Sequence, residues 1–568
     1  MPMQRAVLLV CVTSVLAACQ PQPARPPQAQ VFESFDVVIA NGRIVDGTGA
    51  PWFRADIGIA GDRITAIGNL ANRQAKTRVD ASNLVVAPGF IDMLGQSEFN
   101  VLVDPRAASK ITQGITTEIT GEGASIAPLN DALKLSAAPQ YERFKVTLDF
   151  KTIGEYFARL ERTPAAINVG TFVGAGGLRA YVVGQEQRAA RPDEIAAMRT
   201  LVDQAMQDGA LGLSTSLQYV PGRFASTEEI TELAKAAKAH GGIYISHQRS
   251  ESSQIMSSLD EVFAVAEGAD IPAEVWHLKT AYKANWGRMG EVLKRFEAAR
   301  ARGLDVTFNM YPYDRASNGL DACLPLWVRE GGLDRMLQRL KDPALRDRIK
   351  RDMDDPNAKD WENQWYGSGG GAGVMVSTVL DPSLRKWEGK NLVQIGKEMG
   401  KDPRDAAMDL VIADRGETSV IISIMREDDV RLALSHPMMA IGTDSGARAE
   451  DGPLSESKSH PRAWGSFPRI LGKYVRDEKL MPLEEAVRRF TSRPATRLGI
   501  ADRGLLKPGF KADITIFNPD TIRDRSTFED PTHYSEGVIH VFVNGQAVVS
   551  GGKITDARPG QPVRRSRP

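Results

Sequence analysis

Apolar positions along this chain change their spacing twice. From Phe35 to Asp80 they come in short alternating runs, Phe35-Asp-Val-Val-Ile-Ala, Arg43-Ile-Val-Asp, Ala55-Asp-Ile-Gly-Ile and Arg63-Ile-Thr-Ala-Ile, with turn signals at Asn41-Gly42 and Ala60-Gly61-Asp62. That pattern predicts small antiparallel strands. The same character returns at Ala512-Asp-Ile-Thr-Ile-Phe and Ile539-His-Val-Phe-Val-Asn-Gly-Gln-Ala-Val-Val. Each end alone is short and rich in unpaired edges. The economical solution is one small β domain, 34–83 with 507–555, assembled from both termini around a larger domain, 84–506.

Between these ends the apolar runs become nearly continuous and alternate with helical segments. Strands are predicted at 84–92, 115–121, 165–172, 211–216, 242–247, 273–278, 304–311 and 438–443. Helices are predicted over Asp193 to Met206, Thr227 to Ala239, Leu259 to Gly268 and Met289 to Arg302. Apolar strands covered by amphipathic helices predict a parallel α/β sheet, and eight such strands suffice to close a barrel. An extra β-like run, Ser419-Val-Ile-Ile-Ser-Ile, leaves the count open. An insertion at about 320–437 precedes the last barrel strand and either shapes a pocket or packs peripherally. The basic, proline-containing stretch 556–568 reads as a flexible tail.

Composition narrows the class. The 568 residues carry 71 basic and 71 acidic side chains and are 42% hydrophobic, which fits a folded globular protein and gives no sign of a nucleic-acid surface. The first residues read differently. Arg5, the apolar run Ala6 to Leu16 and the close Leu16-Ala17-Ala18-Cys19 resemble an export signal ending in the lipobox of bacterial lipoproteins. Cleavage after residue 18 would leave Cys19 lipidated, with the proline-rich 19–33 as a spacer off the membrane. The expected address is therefore the bacterial cell envelope, facing the periplasm or anchored to the outer membrane. An ordinary signal peptide with an incidental Cys19 is the alternative. Beyond the anchor only Cys323 would remain, so no internal disulfide is expected.

Candidate chemistry begins with two of the seven histidines. His247 closes Gly241-Gly-Ile-Tyr-Ile-Ser-His247 and His277 closes Ala273-Glu-Val-Trp-His277, one strand, helix, strand unit apart. Both imidazoles are then expected at the carboxyl ends of neighbouring parallel strands, where barrel enzymes keep their chemistry. His240 reads as a helix C-cap and His533 as structural, while His436 and His460 flank the last barrel segment.

A set of motifs then gives the chain a family. Val86-Ala-Pro-Gly-Phe-Ile-Asp92, Gln113-Gly-Ile-Thr-Thr, Tyr244-Ile-Ser-His247, His277-Leu-Lys279, Tyr311-Pro-Tyr, Gly442-Thr-Asp444-Ser and His460-Pro-Arg-Ala-Trp-Gly-Ser-Phe-Pro-Arg469 together resemble the D-aminoacylase (N-acyl-D-amino-acid deacylase) branch of the metal-dependent amidohydrolase superfamily. The resemblance runs from Phe35 to about Ser550. It implies a (β/α)8 TIM-like barrel with a small β-sandwich domain formed from both termini.

It also implies a metal site, with departures. Where the family commonly has two histidines after the Gly-Phe-Ile-Asp run, this chain has Leu94 and Gln96, and Glu122 matches the branch's bridging cysteine. The remaining ligand set is Glu122, His247 and His277, suited to one Zn2+ per chain, although another divalent metal is compatible with it. Deacetylases acting on N-acetylglucosamine-6-phosphate resemble this mononuclear pattern, with a glutamine at the position of one histidine. By the same resemblance Asp444 is the general base and acid, taking a proton from metal-activated water and returning it to the leaving nitrogen. Lys279, Tyr311 and Arg462 match positions that bind the substrate carboxylate, Ser317 matches a nearby contact, and Gln96 faces the metal water or the substrate carbonyl. The family's Gly-His-Gly turn is altered to Gly174-Ala175-Gly176.

The expected reaction is hydrolysis of the amide bond of N-acyl amino acids, including those of D configuration. Dipeptides, cyclic amides and acylated lipids or amines are the alternatives within the superfamily. A catalytically silent surface module is the alternative outside it.

Overall fold

A computed structural model describes residues 34–358, 361–456 and 458–565. The signal sequence, Cys19 and the spacer lie outside the described residues. At the centre run the strands Phe90–Asp92, Ile115–Thr120, Asn168–Thr171 continued by Val173–Gly174, Gly212–Ser216, Ile243–His247, Ala273–Val275, Val306–Met310 and Met439–Ile441. Each pairs in parallel with the next. The last returns to the first: the Met93 N–H donates to the Ile441 carbonyl at 3.0 Å, and Gly95 bridges Ser445. Eight strands therefore close a (β/α)8 barrel.

Helices Pro192–Asp208, Thr227–Ala239, Ile255–Gly268 and Met289–Ala301 follow successive strands and cover the sheet. Their ends have local causes. The Ser226 side chain accepts from the Glu229 N–H at 3.2 Å and starts one helix, and Gly209 at φ +113° stops another, as capping chemistry requires. Inside the barrel, Ile91, Leu94, Ile119, Phe172, Ile245, Trp276 and Ala440 form one apolar cluster.

The termini build the second unit. Five strands from the amino end and four from the carboxyl end make a nine-stranded mixed sheet, joined where Val85–Pro88 pairs antiparallel with Ile514–Phe517. It encloses its own apolar cluster, including Ile39, Ile57, Ile59, Val86, Ile514 and Ile516, as an accessory β-sandwich domain. The predicted run 84–92 is divided: Val85–Pro88 belongs to this sheet and Phe90–Asp92 to the barrel. Gly89 separates them, and a Cβ there would lie 2.1 Å from Thr116 Oγ1. The chain thus crosses between domains at a point too tight for any side chain.

Two further expectations are corrected or resolved. The stretch 556–568 was expected to be a flexible tail, but its described part, up to Arg565, is fixed to the barrel. The Gly560 N–H donates to the Ala165 carbonyl at 2.8 Å, the Val169 N–H to the Gln561 carbonyl at 3.1 Å, and the Val563 N–H to the Val169 carbonyl at 2.8 Å. Val563 is buried in the barrel's own apolar cluster, and one apolar anchor with strand pairing outweighs the local proline and arginine content. The Ser419 run is a strand of the insertion, not of the barrel: Ser419–Ser423 is the centre of a three-stranded antiparallel sheet between Arg315–Gly319 and Val374–Thr378.

Candidate metal centre

Glu122, His247 and His277 come from three different barrel strands and meet at one mouth. Glu122 follows the second strand in the turn Gly121-Glu122-Gly123, whose glycines have φ of +93° and +66°. A Cβ on Gly123 would lie 2.2 Å from Ser216 Cβ, so glycine alone permits this turn to fold onto the fourth strand. His247 ends the fifth strand. His277 follows the sixth at φ +36°, a conformation held by its own N–H donating to Asn309 Oδ1 at 2.9 Å. Left-handed backbone at a non-glycine residue stores strain and tends to mark working positions.

Glu122 Oε1 lies 3.0 Å from His247 Nδ1 and 3.0 Å from His277 Nε2. One ligand atom from each of the three residues lies within 4.8 Å of the others. The outer ring nitrogens are also engaged: His247 Nε2 lies 2.8 Å from Gln218 Oε1, and His277 Nδ1 lies 3.0 Å from Glu251 Oε1 and 2.8 Å from Lys279 Nζ. Inner nitrogens converging on a point, with the Gln218 and Glu251 oxygens beside the outer ones, is the arrangement of a metal site with its supporting shell. The donor chemistry, one carboxylate with two imidazoles, fits a divalent cation.

Electrostatics agree with that reading. Burial opposes ionisation of Glu122, but hydrogen bonds with His247 and His277 hold its carboxyl well below the usual range. Burial and the Lys279 ammonium depress His277, yet Glu251, Asp444 and Glu122 outweigh them and lift it to about 9. A ligating imidazole must be neutral, so a cation entering this cluster displaces that proton.

Asp444 stands beside the cluster. It follows the eighth strand at φ +51°, with its N–H donating to the Leu94 carbonyl at 2.7 Å. Gln96 Nε2 donates both to Glu122 Oε2 at 2.9 Å and to Asp444 Oδ1 at 3.0 Å, tying the acid to the ligand set. Arg462 NH1 donates to Asp444 Oδ2 at 2.6 Å. Burial raises the Asp444 pKa against the pull of Arg462, which suits a group that must hold and release a proton.

A cavity of about 280 Å³ opens over these groups. Gln96, Glu122, His247, His277, Lys279, Ser317 and Asp444 line it. Tyr311 and Arg462 stand behind the lining. The Arg462 guanidinium lies 4.6 Å from the Tyr311 ring centroid and the Lys279 ammonium 5.6 Å from it, while Arg462 NH2 reaches the Ser317 carbonyl at 3.3 Å. Lys279 donates to Glu251 Oε1 at 2.7 Å. Leu94, where the family commonly has a histidine, is fully buried in the barrel cluster. His460 is buried against Tyr313 and Phe528 and bonded to the Arg315 carbonyl, and His240 and His533 pair with Asp203 and Asp530 away from the site.

Sequence reasoning missed Gln218, Glu251, Asp321, Glu362 and Gln364, all of which line the cavity. The first two had a signal, since both are polar residues a few positions past the carboxyl end of a barrel strand. The other three follow the seventh strand or come from the insertion, which forms one wall of the cavity. Nothing in the local pattern of that segment points to a barrel mouth.

Known proteins share this layout. Residues 376–549 match the profile described as the amidohydrolase family. Over 543 residues the chain is 37% identical to a D-aminoacylase of Alcaligenes xylosoxydans xylosoxydans, covering 94% of this chain and 98% of that protein. The chain belongs to the D-aminoacylase branch of the amidohydrolase superfamily. A solved D-aminoacylase structure, described by a binuclear metal centre with one-metal activation and second-metal attenuation, superposes with a TM-score of 0.76 at 34% identity, covering 94% of this chain and 100% of that one. The N-acyl-D-glutamate deacylase of Bordetella bronchiseptica, solved with zinc and a phosphonate mimic of the tetrahedral intermediate, superposes at 0.77 with 33% identity and the same coverage. With a clustered Glu, His, His site on this scaffold, the amidohydrolase is an enzyme built for metal-dependent amide hydrolysis.

Proposed function

We propose that this amidohydrolase hydrolyses N-acyl amino acids, with D-configured substrates as the preferred class, through a single Zn2+ held by Glu122, His247 and His277. The observation that carries the reading is Gln96, whose amide joins Glu122 of the ligand cluster to Asp444 and so sets a buried acid beside three convergent donors. Relatives above 30% identity named for D-aminoacylase and N-acyl-D-glutamate deacylase activity support the substrate class. Leu94 supports one metal rather than two, since an alkyl side chain has no donor.

When bound, the cation would polarise the scissile carbonyl and acidify water. Asp444 takes the proton that water must lose and delivers it to the leaving nitrogen, because an amide nitrogen departs poorly unless protonated. Gln96 on one oxygen and Arg462 on the other fix the carboxylate plane during both transfers. Lys279 and Ser317 in the lining, with Arg462 and Tyr311 just behind them, supply the donors and positive charge for the substrate carboxylate. Arg462 would serve both Asp444 and that carboxylate.

The test combines stoichiometry with turnover. Metal analysis of the purified protein is expected to give about one tightly held cation per chain, and N-acetyl-D-amino acids are expected to release acetate. The Asp444→Asn variant should keep metal and fold but lose turnover by about 10²-fold or more; unchanged turnover removes the assigned role. Loss of neither metal nor activity in Glu122→Ala would make the ligand assignment wrong. For the amino-terminal segment we propose export and lipid attachment at Cys19, on the strength of the Leu16-Ala-Ala-Cys19 pattern.

A further inference from the structure

The cavity has a wall opposite in character to an anion site. After the known pairs are removed, two carboxylates remain on it. Lys279 is bound to Glu251 at 2.7 Å and Arg462 to Asp444 at 2.6 Å, and Glu122 belongs to the metal cluster. Glu362 and Asp321, both lining the cavity, have no ion-pair partner among the described residues. Glu362 is 7% exposed; it accepts the Glu251 N–H at 3.2 Å and hydrogen bonds from the Ser250 and Ser252 side chains, and the Arg223 charge acts on it through space. Arg329 acts on Asp321 through space without forming an ion pair with it.

One neighbour on this wall presents an acceptor as well. Asn318 spends its amide hydrogens on Gln364 Oε1 at 2.9 Å and the Tyr219 hydroxyl at 3.3 Å, leaving its Oδ1 buried and without a donor. A buried acceptor left unsatisfied beside unpaired carboxylates costs free energy unless a ligand supplies the hydrogens. Burial accordingly pushes Glu362 up to about 7, with the Glu251 charge adding to the rise, and raises Asp321 as well. An arriving positive charge would favour the ionised form of both.

We propose that this wall receives a cationic group of the substrate, an ammonium or guanidinium, so that the enzyme selects amides carrying a positive charge near the scissile bond. The inference rests on the amide-hydrolase reading above and names its substrate class more closely. Two sources supply the same chemistry: a basic side chain on the amine half, as in N-acetyl-D-lysine, and the free α-ammonium of the acyl half in a dipeptide, as in glycyl-D-alanine.

The zinc-loaded full chain is assayed on two matched pairs, N-acetyl-D-lysine against N-acetyl-D-norleucine and glycyl-D-alanine against propionyl-D-alanine, with N-acetyl-D-glutamate alongside. The cationic member of one pair is expected to exceed its neutral partner in kcat/KM by about tenfold to hundredfold, and the pair that shows it identifies the source. Glu362→Gln is expected to shrink that ratio toward one, Asp321→Asn to shrink it in part, and Glu362→Lys to turn preference toward N-acetyl-D-glutamate. Equal or faster turnover of the neutral member in both pairs overturns the inference while leaving the amide-hydrolase reading intact. An undiminished ratio in a folded, metal-replete Glu362→Gln protein also overturns it. Absence of turnover on every compound would remove the underlying reading, and this inference with it.

Discussion

Replacing Lys110 with methionine tests how the barrel holds Asp444 in place. Lys110 is fully buried, and its ammonium donates to Asp92 Oδ2 at 2.8 Å, Thr443 Oγ1 at 2.7 Å and the Ser445 carbonyl at 2.7 Å, with Glu118 Oε1 at 3.5 Å. Two of those acceptors are the residues on either side of Asp444. Methionine preserves length and burial but removes the charge and all three donors. Breaking a buried ion pair by deleting one partner costs about 3–5 kcal/mol. Asp92 retains hydrogen bonds from the Thr443 N–H, the Thr443 hydroxyl and the Leu94 N–H, at 2.8, 2.6 and 3.2 Å, which argues for the lower end, about 3 kcal/mol. The turn that keeps Asp444 at φ +51° loses its anchor, so kcat should fall by about tenfold or more, since misplacing a reacting group by a fraction of an ångström has that effect. Metal content should not change, because none of the four residues that Lys110 reaches, Asp92, Thr443, Ser445 and Glu118, is a ligand. The assays are urea denaturation followed by circular dichroism, metal analysis and steady-state kinetics on the same preparations. Adding Asp92→Asn to Lys110→Met removes the uncompensated charge and should recover part of the stability while kcat stays low. A wild-type denaturation midpoint together with wild-type kcat in the single variant would refute the reasoning.

Other predictions follow from single features of the structure. Burial pushes the Glu118 carboxyl up to about 7, against the pull of Lys110 and with Asp92 adding to the rise; an acid raised on folding contributes stability that is fully present below its unfolded value near 4.5 and is lost as pH rises through 7. Glu118→Gln should therefore gain about 2 kcal/mol on the wild type between pH 5 and pH 8, and a pH-independent difference in denaturation midpoint would contradict this. Gln218→Ala removes the acceptor that orients His247 and should weaken metal affinity by about 10- to 100-fold, measured by competition with a chelator; unchanged affinity would make Gln218 a bystander. Deleting residues 560–568 strips Val563 from the barrel cluster and should lower the thermal transition, whereas an unchanged transition would mean the carboxyl end adds nothing to stability. Cys19→Ser should abolish incorporation of radiolabelled fatty acid in a bacterial host, and labelling that persists would mean that Cys19 is not the lipidated residue.

The two histidines were legible because each ends a short apolar strand run, and strand ends of a parallel barrel are the positions that converge. Glu122 and Asp444 needed the family resemblance, since an isolated carboxylate next to glycine or serine reads equally well as a turn residue. Gly89 shows the limit of pattern reading. The apolar run from Val85 to Asp92 is continuous, yet it serves two sheets, and only the close approach of Thr116 reveals the division.

By itself the sequence determined the strand and helix alternation, the split β domain and the set of donors from which a metal site is made, because periodicity and residue chemistry are local properties. The tertiary structure alone decided which carboxylates were left without an ion pair. Glu251 takes up Lys279, Asp444 takes up Arg462, and the insertion brings Glu362 and Asp321 to the same cavity. Ion pairing and burial depend on distances between residues far apart in the chain, and those distances set both the charge each group carries and the charge the cavity will accept.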